Sequence, residues 1–172
     1  MGKYISEIRI YVACLASYNG GILHGEWIDA CQSENEIFND VKTMLDASSE
    51  EYAEEWAIHD YEGFEGASIS AYESFNRVAE IAAFIQKHGA LGGKVLEYYN
   101  DMSDTKNALE NQYAGEYTST AEFAEEITSQ TTEIPDSLEY YINYSAMARD
   151  LEINDILAIE TGFEEIHIFW SH

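Results

Sequence analysis

EIRIYVACL, residues Glu7 to Leu15, sets Ile8, Ile10, Val12 and Cys14 at alternate positions with Arg9, Tyr11 and Ala13 between them. A two-residue period is that of a half-buried strand, because successive side chains point to opposite faces. Tyr18-Asn19-Gly20-Gly21 follows and reads as a hairpin turn, since Asn and Gly tolerate the backbone that tight turns need. Ile22 to Asp29 is then expected to return as the second strand. Ser33 and Glu36 make a capping box ahead of Ile37, Val41, Met44 and Leu45 on one helical face. With Trp56 to Tyr61 as a third strand, the opening residues predict ββαβ, a small α+β unit.

Past the break at Gly63-Phe64-Glu65-Gly66, Ser70 with Glu73 predicts a second capping box before Phe75, Val78, Ala82 and Ile85, with Gly89 as an αL helix end. Leu91 to Asn100 and Thr105 to Tyr113 have helical composition, and Ser119 with Glu122 predicts a third box before Phe123 and Ile127. Pro135 suits a helix start with Leu138, Tyr141 and Ile142 on its apolar face, continuing after a bend through Ala146 to Leu151. Ile156 to Glu160 and Ile166 to Trp170 read as a hairpin around Thr161-Gly162. The expected fold class is α+β in three parts: an N-terminal α+β domain over 1–64, a helical middle over 65–104 and a C-terminal α+β domain with a hairpin over 105–172.

The composition narrows the function. In 172 residues, 33 Asp and Glu against 8 Lys and Arg leave a net charge of −25. Direct binding to a phosphate backbone is excluded, since it needs clustered basic residues. Disorder is disfavoured by 46% hydrophobic residues, 13% aromatic residues and a single proline. No apolar run reaches the roughly 18 residues of a spanning helix, and MGKYISEIRI lacks a signal-peptide core, so the expected location is cytoplasmic with no membrane partner. Hairpin symmetry sets Cys14 opposite about residue 25 rather than Cys31, so two buried thiols are expected instead of a disulfide.

Enzyme motifs fail on inspection. HGALGGKV, His88 to Val95, lacks the first glycine and the final Ser or Thr of a phosphate loop. Asp150 to Thr161 has Asp155 where a calcium loop needs Gly and Thr161 where it needs Glu. His24, His59, His88, His167 and His172 show no paired-ligand spacing, and neither GxSxG nor CxxC occurs. No catalytic residue, metal or cofactor is expected.

The charge is segregated. No Lys or Arg lies between Lys42 and Arg77, between Lys106 and Arg149, or beyond Arg149. The candidate working residues are therefore acids in these stretches: Glu50, Glu51, Glu54, Glu55, Asp60, Glu62 and Glu65; Glu122, Glu125, Glu126, Glu133, Asp136 and Glu139; and Asp150, Glu152, Asp155, Glu164 and Glu165. Glu36 with Asp40, Glu97 with Asp101 and Glu122 with Glu126 are like-charge pairs at helical spacing, each costing about 0.2 to 0.5 kcal/mol. Singly such pairs are solvated faces. As a set without lysines to relieve them, they point to the negative surface as the working part. Duplex DNA carries one charge per about 1.7 Å, so this net charge matches about 42 Å of duplex.

Three stretches resemble the antirestriction ArdA family: YVACLASYNGGILHGEWIDA (Tyr11 to Ala30), AIHDYEGF (Ala57 to Phe64) and IPDSLEYYINYSAMARDLEIND (Ile134 to Asp155). The resemblance runs nearly end to end and implies a protein of mobile elements that inhibits type I restriction-modification enzymes by imitating B-form DNA. It implies an elongated homodimer whose subunits have an α+β part, a helical middle and a second α+β part. Charge-poor stretches at Ala90 to Tyr99 and Gln112 to Tyr117 offer material for a dimer contact or for the core. Within the resembling motifs, Ile58, Phe64, Leu151 and Ile153 are expected to pack, while Asp60, Glu62, Asp150, Glu152 and Asp155 are expected at the surface. Arg149 is expected to pair with a local carboxylate or tyrosine. Two other readings stand beside this one: an acidic scaffold or chaperone that binds basic proteins without DNA geometry, and a salt-adapted enzyme whose acids hold a hydration shell.

Overall fold

The computed structural model describes residues 7–171, so His172 and most of MGKYISEIRI lie outside the described residues. The chain forms two compact units, Met1–Gly93 and Lys94–His172, divided within the stretch expected as the helical middle. Each unit carries one three-stranded antiparallel sheet with helices, so the α+β class holds.

In the first unit β1 (Arg9–Cys14) lies between β2 (Gly25–Asp29) and β3 (Trp56–Glu62). The alternation of Ile10, Val12 and Cys14 buries one face of β1 completely. Helix α2 (Glu34–Asp46) brings Ile37, Val41 and Met44 into the same core. Burying each such side chain contributes about 1.5 to 3 kcal/mol. The capping box forms in full: Ser33 Oγ accepts from Glu36 N–H and the Glu36 carboxylate accepts from Ser33 N–H.

β1 and β2 pair, with Ala13 opposite Gly25 and Cys14 N–H bonded to His24 O at 2.8 Å, but no two-residue turn joins them. A short helix α1 (Leu15–Asn19) takes that place, because Gly20 N–H returns to the Ala16 and Ser17 carbonyls and closes a helical turn before the glycines. The second strand therefore begins at Gly25, leaving Ile22 and Leu23 exposed. Gly25 is required there, since a Cβ would stand 2.6 Å from the Val12 carbonyl oxygen. Both cysteines are free; Cys14 is buried as expected, whereas Cys31 is half-buried.

Helix α3 (Phe75–Tyr99) starts later than its sequence signal suggests. Ser74 Oγ caps Arg77 N–H, and the Ser70 and Glu73 pair closes a separate turn in which the Glu73 carboxylate accepts from Ser70 N–H and Oγ–H. Gly89 breaks α3, at φ 65° and ψ −151° rather than in the αL region.

In the second unit the sheet order is β4-β6-β5, from β4 (Tyr113–Tyr117), β5 (Ile156–Gly162) and β6 (Glu165–Trp170). The expected hairpin is thus widened by a third strand, and Tyr113, expected at the end of a helix, opens that strand. Helix α4 (Met102–Asn107) ends early, passes through a wide turn over Ala108–Gln112, and the chain then pairs with the free edge of β6. Gly115 permits this pairing: it sits at φ 136° where the register shifts. Gly162 lies opposite Glu165, so the hairpin turns at Phe163-Glu164, with Glu164 at φ 55°, and not at Thr161-Gly162.

Helices α5 (Thr120–Thr131) and α6 (Tyr144–Asn154) cover one face of that sheet. Phe123, Ile156 and Ile168 form the core, with Tyr117, Ile127, Leu151 and Trp170 around it. Ile153, expected to pack, is 77% exposed. No helix starts at Pro135. Leu138 N–H bonds to Pro135 O at 2.9 Å and Tyr141 N–H to Leu138 O at 3.0 Å, giving two tight turns that leave Leu138 and Tyr141 in solvent. Of the two stretches offered for a dimer contact or for the core, Ala90 to Tyr99 buries Val95 and Leu96 and leaves Tyr98 exposed, whereas Gln112 to Tyr117, largely β4, is half-buried or exposed throughout.

Candidate functional site

The candidate acids are positioned by loops and element ends. In the first unit Glu50, Glu51, Glu54 and Glu55 lie in the connection between α2 and β3, Asp60 and Glu62 on β3, and Glu65 just after it. In the second unit Glu122, Glu125 and Glu126 lie on α5, and Glu133, Asp136 and Glu139 in the connection to α6. Asp150 and Glu152 lie on α6, Asp155 at its end, and Glu164 and Glu165 at the β5–β6 turn. All are exposed except Glu50, Glu65 and Glu165, which are half-buried.

A bulge aims two of them. Tyr11 pairs with Asp60 and Val12 with Ile58, so β3 carries His59 as an extra residue. Strict alternation would put Ile58 and Asp60 on one face. The bulge instead sends Ile58 inward beside Val12 and turns Asp60 and Glu62 outward beside Tyr11 and Arg9. Ala57 and Ile58 are accordingly both buried, and Asp60 and Glu62 both exposed.

On α5, Glu122, Glu125 and Glu126 stand at i, i+3 and i+4 and share a face. Asp150 and Glu152, two residues apart, diverge by roughly 160° around α6 and do not. Glu36 and Asp40 do share α2, but Glu97 lies in α3 while Asp101 caps α4, so that like-charge pair does not exist within one helix. Exposed Glu34, Asp46, Glu110, Glu116 and Glu160 extend the acidic surface beyond the candidate set. Their signal was present in the same basic-free stretches and on the polar face of α2.

Several of these carboxylates have partners, and most partners are neutral. Glu122 accepts from Thr118 N–H at 2.6 Å and Thr118 Oγ1–H at 2.8 Å, while Ser119 Oγ accepts from Glu122 N–H. The third box thus forms in its Ser119 half as expected, while the Glu122 carboxylate returns to Thr118 instead of Ser119. Those bonds, the backbone one first, hold the Glu122 carboxyl below its ordinary pKa. Glu165 accepts from Thr161 Oγ1–H at 3.2 Å, and Asp60 from Tyr61 N–H at 2.8 Å. Burial, helped by a hydrogen bond to the Glu126 carboxylate, pushes the Tyr117 phenol up to about 12. Neutral donors leave the carboxylates charged.

Cations do little to cancel them. Among the described residues two ion pairs form, Arg9 with Glu62 at 2.8 Å and Arg77 with Glu80 at 4.0 Å. Arg149, expected to pair locally, is exposed and belongs to neither. Helices α2, α5 and α6 have no basic residue in their last turns, where one would offset the helix dipole. An exposed, single-sign and uncompensated acidic surface is therefore built into both units.

The family model described as antirestriction protein (ArdA) matches residues 10–165. The chain belongs to the ArdA family. Membership makes it an antirestriction protein and implies an encounter with restriction-modification enzymes. No curated protein matches the chain. All three stretches that resemble ArdA lie within the matched residues, and so does every candidate acid. Among the described residues, no helix of this ArdA protein is long and apolar enough to cross a membrane.

Proposed function

We propose that this ArdA protein is a non-enzymatic mimic of B-form DNA that occupies the DNA-binding groove of type I restriction-modification enzymes. The observation that carries this reading is the acidic surface itself: exposed carboxylates on both units, with two ion pairs among the described residues to set against a net charge of −25. A groove that binds DNA presents cations spaced for phosphates, and carboxylates on neighbouring helical turns lie roughly 5 to 6 Å apart at Cβ, a density comparable with the duplex. The protein itself does not bind nucleic acid, since like charges repel.

A homodimer fits the length that a groove offers. One subunit's charge corresponds to about 42 Å of duplex, and two copies to about twice that. Sedimentation equilibrium gives the mass directly; a monomer that inhibits at full strength removes the dimer from the mechanism.

The deciding experiment is competition. Duplex DNA and the protein are titrated together onto a purified type I enzyme, and the protein is titrated in parallel onto unrelated basic proteins. Mutually exclusive binding to the enzyme, with much weaker binding to the others, is the expected outcome. Indifferent binding to all of them would favour the acidic scaffold or chaperone instead.

A further inference from the structure

Charge is not the whole of this surface. Leu138 is 54% exposed, Tyr140 93% and Tyr141 83%, in one continuous run of the second unit. Tyr is enriched where proteins meet partners and is among the residues that dominate binding energy, so two such exposed rings side by side make a contact candidate. Among the described residues neither ring has a hydrogen-bond or ring partner.

The run is also held in shape. Pro135 fixes its own φ, Leu138 N–H returns to Pro135 O, and Tyr141 N–H returns to Leu138 O. The second turn closes as a single 3-10 turn over Glu139–Tyr141, with Leu138 and Tyr141 at its two ends. Asp136 and Glu139 lie within the same two turns and are exposed, and Glu133 precedes the first turn. Exposed acids and exposed aromatic and aliphatic side chains thus alternate along one preformed segment.

We propose that Leu138 to Tyr141 is a contact segment for a basic, arginine-bearing protein surface, supplying the part of the affinity that charge does not. The occupant follows from complementarity: guanidinium groups pair with Asp136 and Glu139 and stack on the faces of Tyr140 and Tyr141, as arginine does on aromatic rings. A DNA-binding groove is a surface of that chemistry, so the inference rests on the function proposed above and extends it. DNA itself offers no such exposed ring face along its backbone. The inhibitor would in this way hold its target at salt concentrations that weaken purely electrostatic ligands.

The test compares the wild type with Tyr140→Ala/Tyr141→Ala and with Glu133→Gln/Asp136→Asn/Glu139→Gln, each titrated onto a type I enzyme over a series of salt concentrations. The tyrosine variant is expected to bind about tenfold more weakly with an unchanged salt dependence. The acid variant is expected to flatten the salt dependence. Tyr140→Phe/Tyr141→Phe, which keeps both rings, should bind within about threefold of wild type, and circular dichroism should match for all four proteins. Wild-type affinity in the alanine variant, or a loss confined to a flatter salt dependence, overturns the proposal. A fall in sedimenting mass also overturns it, because the segment would then join copies of this chain. If wild type itself fails to compete with DNA, the proposed function fails and this inference with it.

Discussion

Arg9 and Glu62 face each other across the β1–β3 pair, with Arg9 Nη2 2.8 Å from the Glu62 carboxylate and the guanidinium 4.5 Å from the centre of the Trp27 ring. The outer face of the first sheet is thereby held by a cation that is stacked as well as paired. Both partners are partly exposed, so the pair contributes little. Glu62→Gln should lower stability by no more than about 1 kcal/mol in urea denaturation. Arg9→Ala should cost more, because it also removes the packing on Trp27.

Charge removal should be graded. Glu125→Gln takes away one exposed carboxylate and should weaken enzyme binding by less than about 1 kcal/mol. Replacing Asp150, Glu152 and Asp155 together should weaken it more and reduce its salt dependence. Titration against the same type I enzyme checks both. A single substitution that abolished inhibition in a folded protein would replace distributed mimicry with a localised site.

Inhibition should not follow the enzyme's recognition sequence. Carboxylates imitate phosphates but present no base edges in a groove, and base edges carry sequence information. Several type I enzymes of different specificity should be inhibited with similar potency in a DNA cleavage assay.

The α5 cap should be measurable. Ser119→Ala removes the acceptor for Glu122 N–H and should destabilise the protein by about 1 kcal/mol in denaturant. Glu122 adds a pH signature. Its folded pKa lies below the unfolded value, so its contribution is complete above the unfolded carboxylate pKa and is lost as pH falls through the depressed folded value. Glu122→Gln should reduce the fall in stability on acidification, read by denaturation at stepped pH.

Tyr117 should ionise late. Burial and its hydrogen bond to Glu126 raise the phenol to about 12, so the stabilisation it confers is complete below the ordinary tyrosine pKa and is lost as pH rises through about 12. Ultraviolet titration should show Tyr117 ionising at lower pH in Glu126→Gln than in wild type, with burial still holding it above the ordinary tyrosine value.

Short-range features were legible in the sequence, and the reason is that they are decided by neighbours along the chain. The alternation over Ile8 to Cys14 gave a buried strand face, Ser33 with Glu36 gave a complete capping box, and the stretches at Tyr11 to Ala30, Ala57 to Phe64 and Ile134 to Asp155 carried the family. The net charge was likewise a property of composition, and with few cations available the acids had to be solvated. Other features depended on partners distant in sequence. Tyr113 to Tyr117 became a strand because β6, from Glu165 onward in the sequence, offered an open edge and Gly115 could take the backbone that pairing required. Asp60 and Glu62 reached the outer face because a bulge at His59 shifted the register by one residue, which sequence alternation cannot record. Leu138 and Tyr141, spaced like a helical face, are a local exception: they stayed in solvent because the chain from Pro135 closed two tight turns instead of a helix. The sequence by itself determined which charges the protein carries and which family it belongs to; tertiary pairing decided which side the acids and tyrosines of the strands face, because strand register is set by long-range contacts that no local pattern encodes.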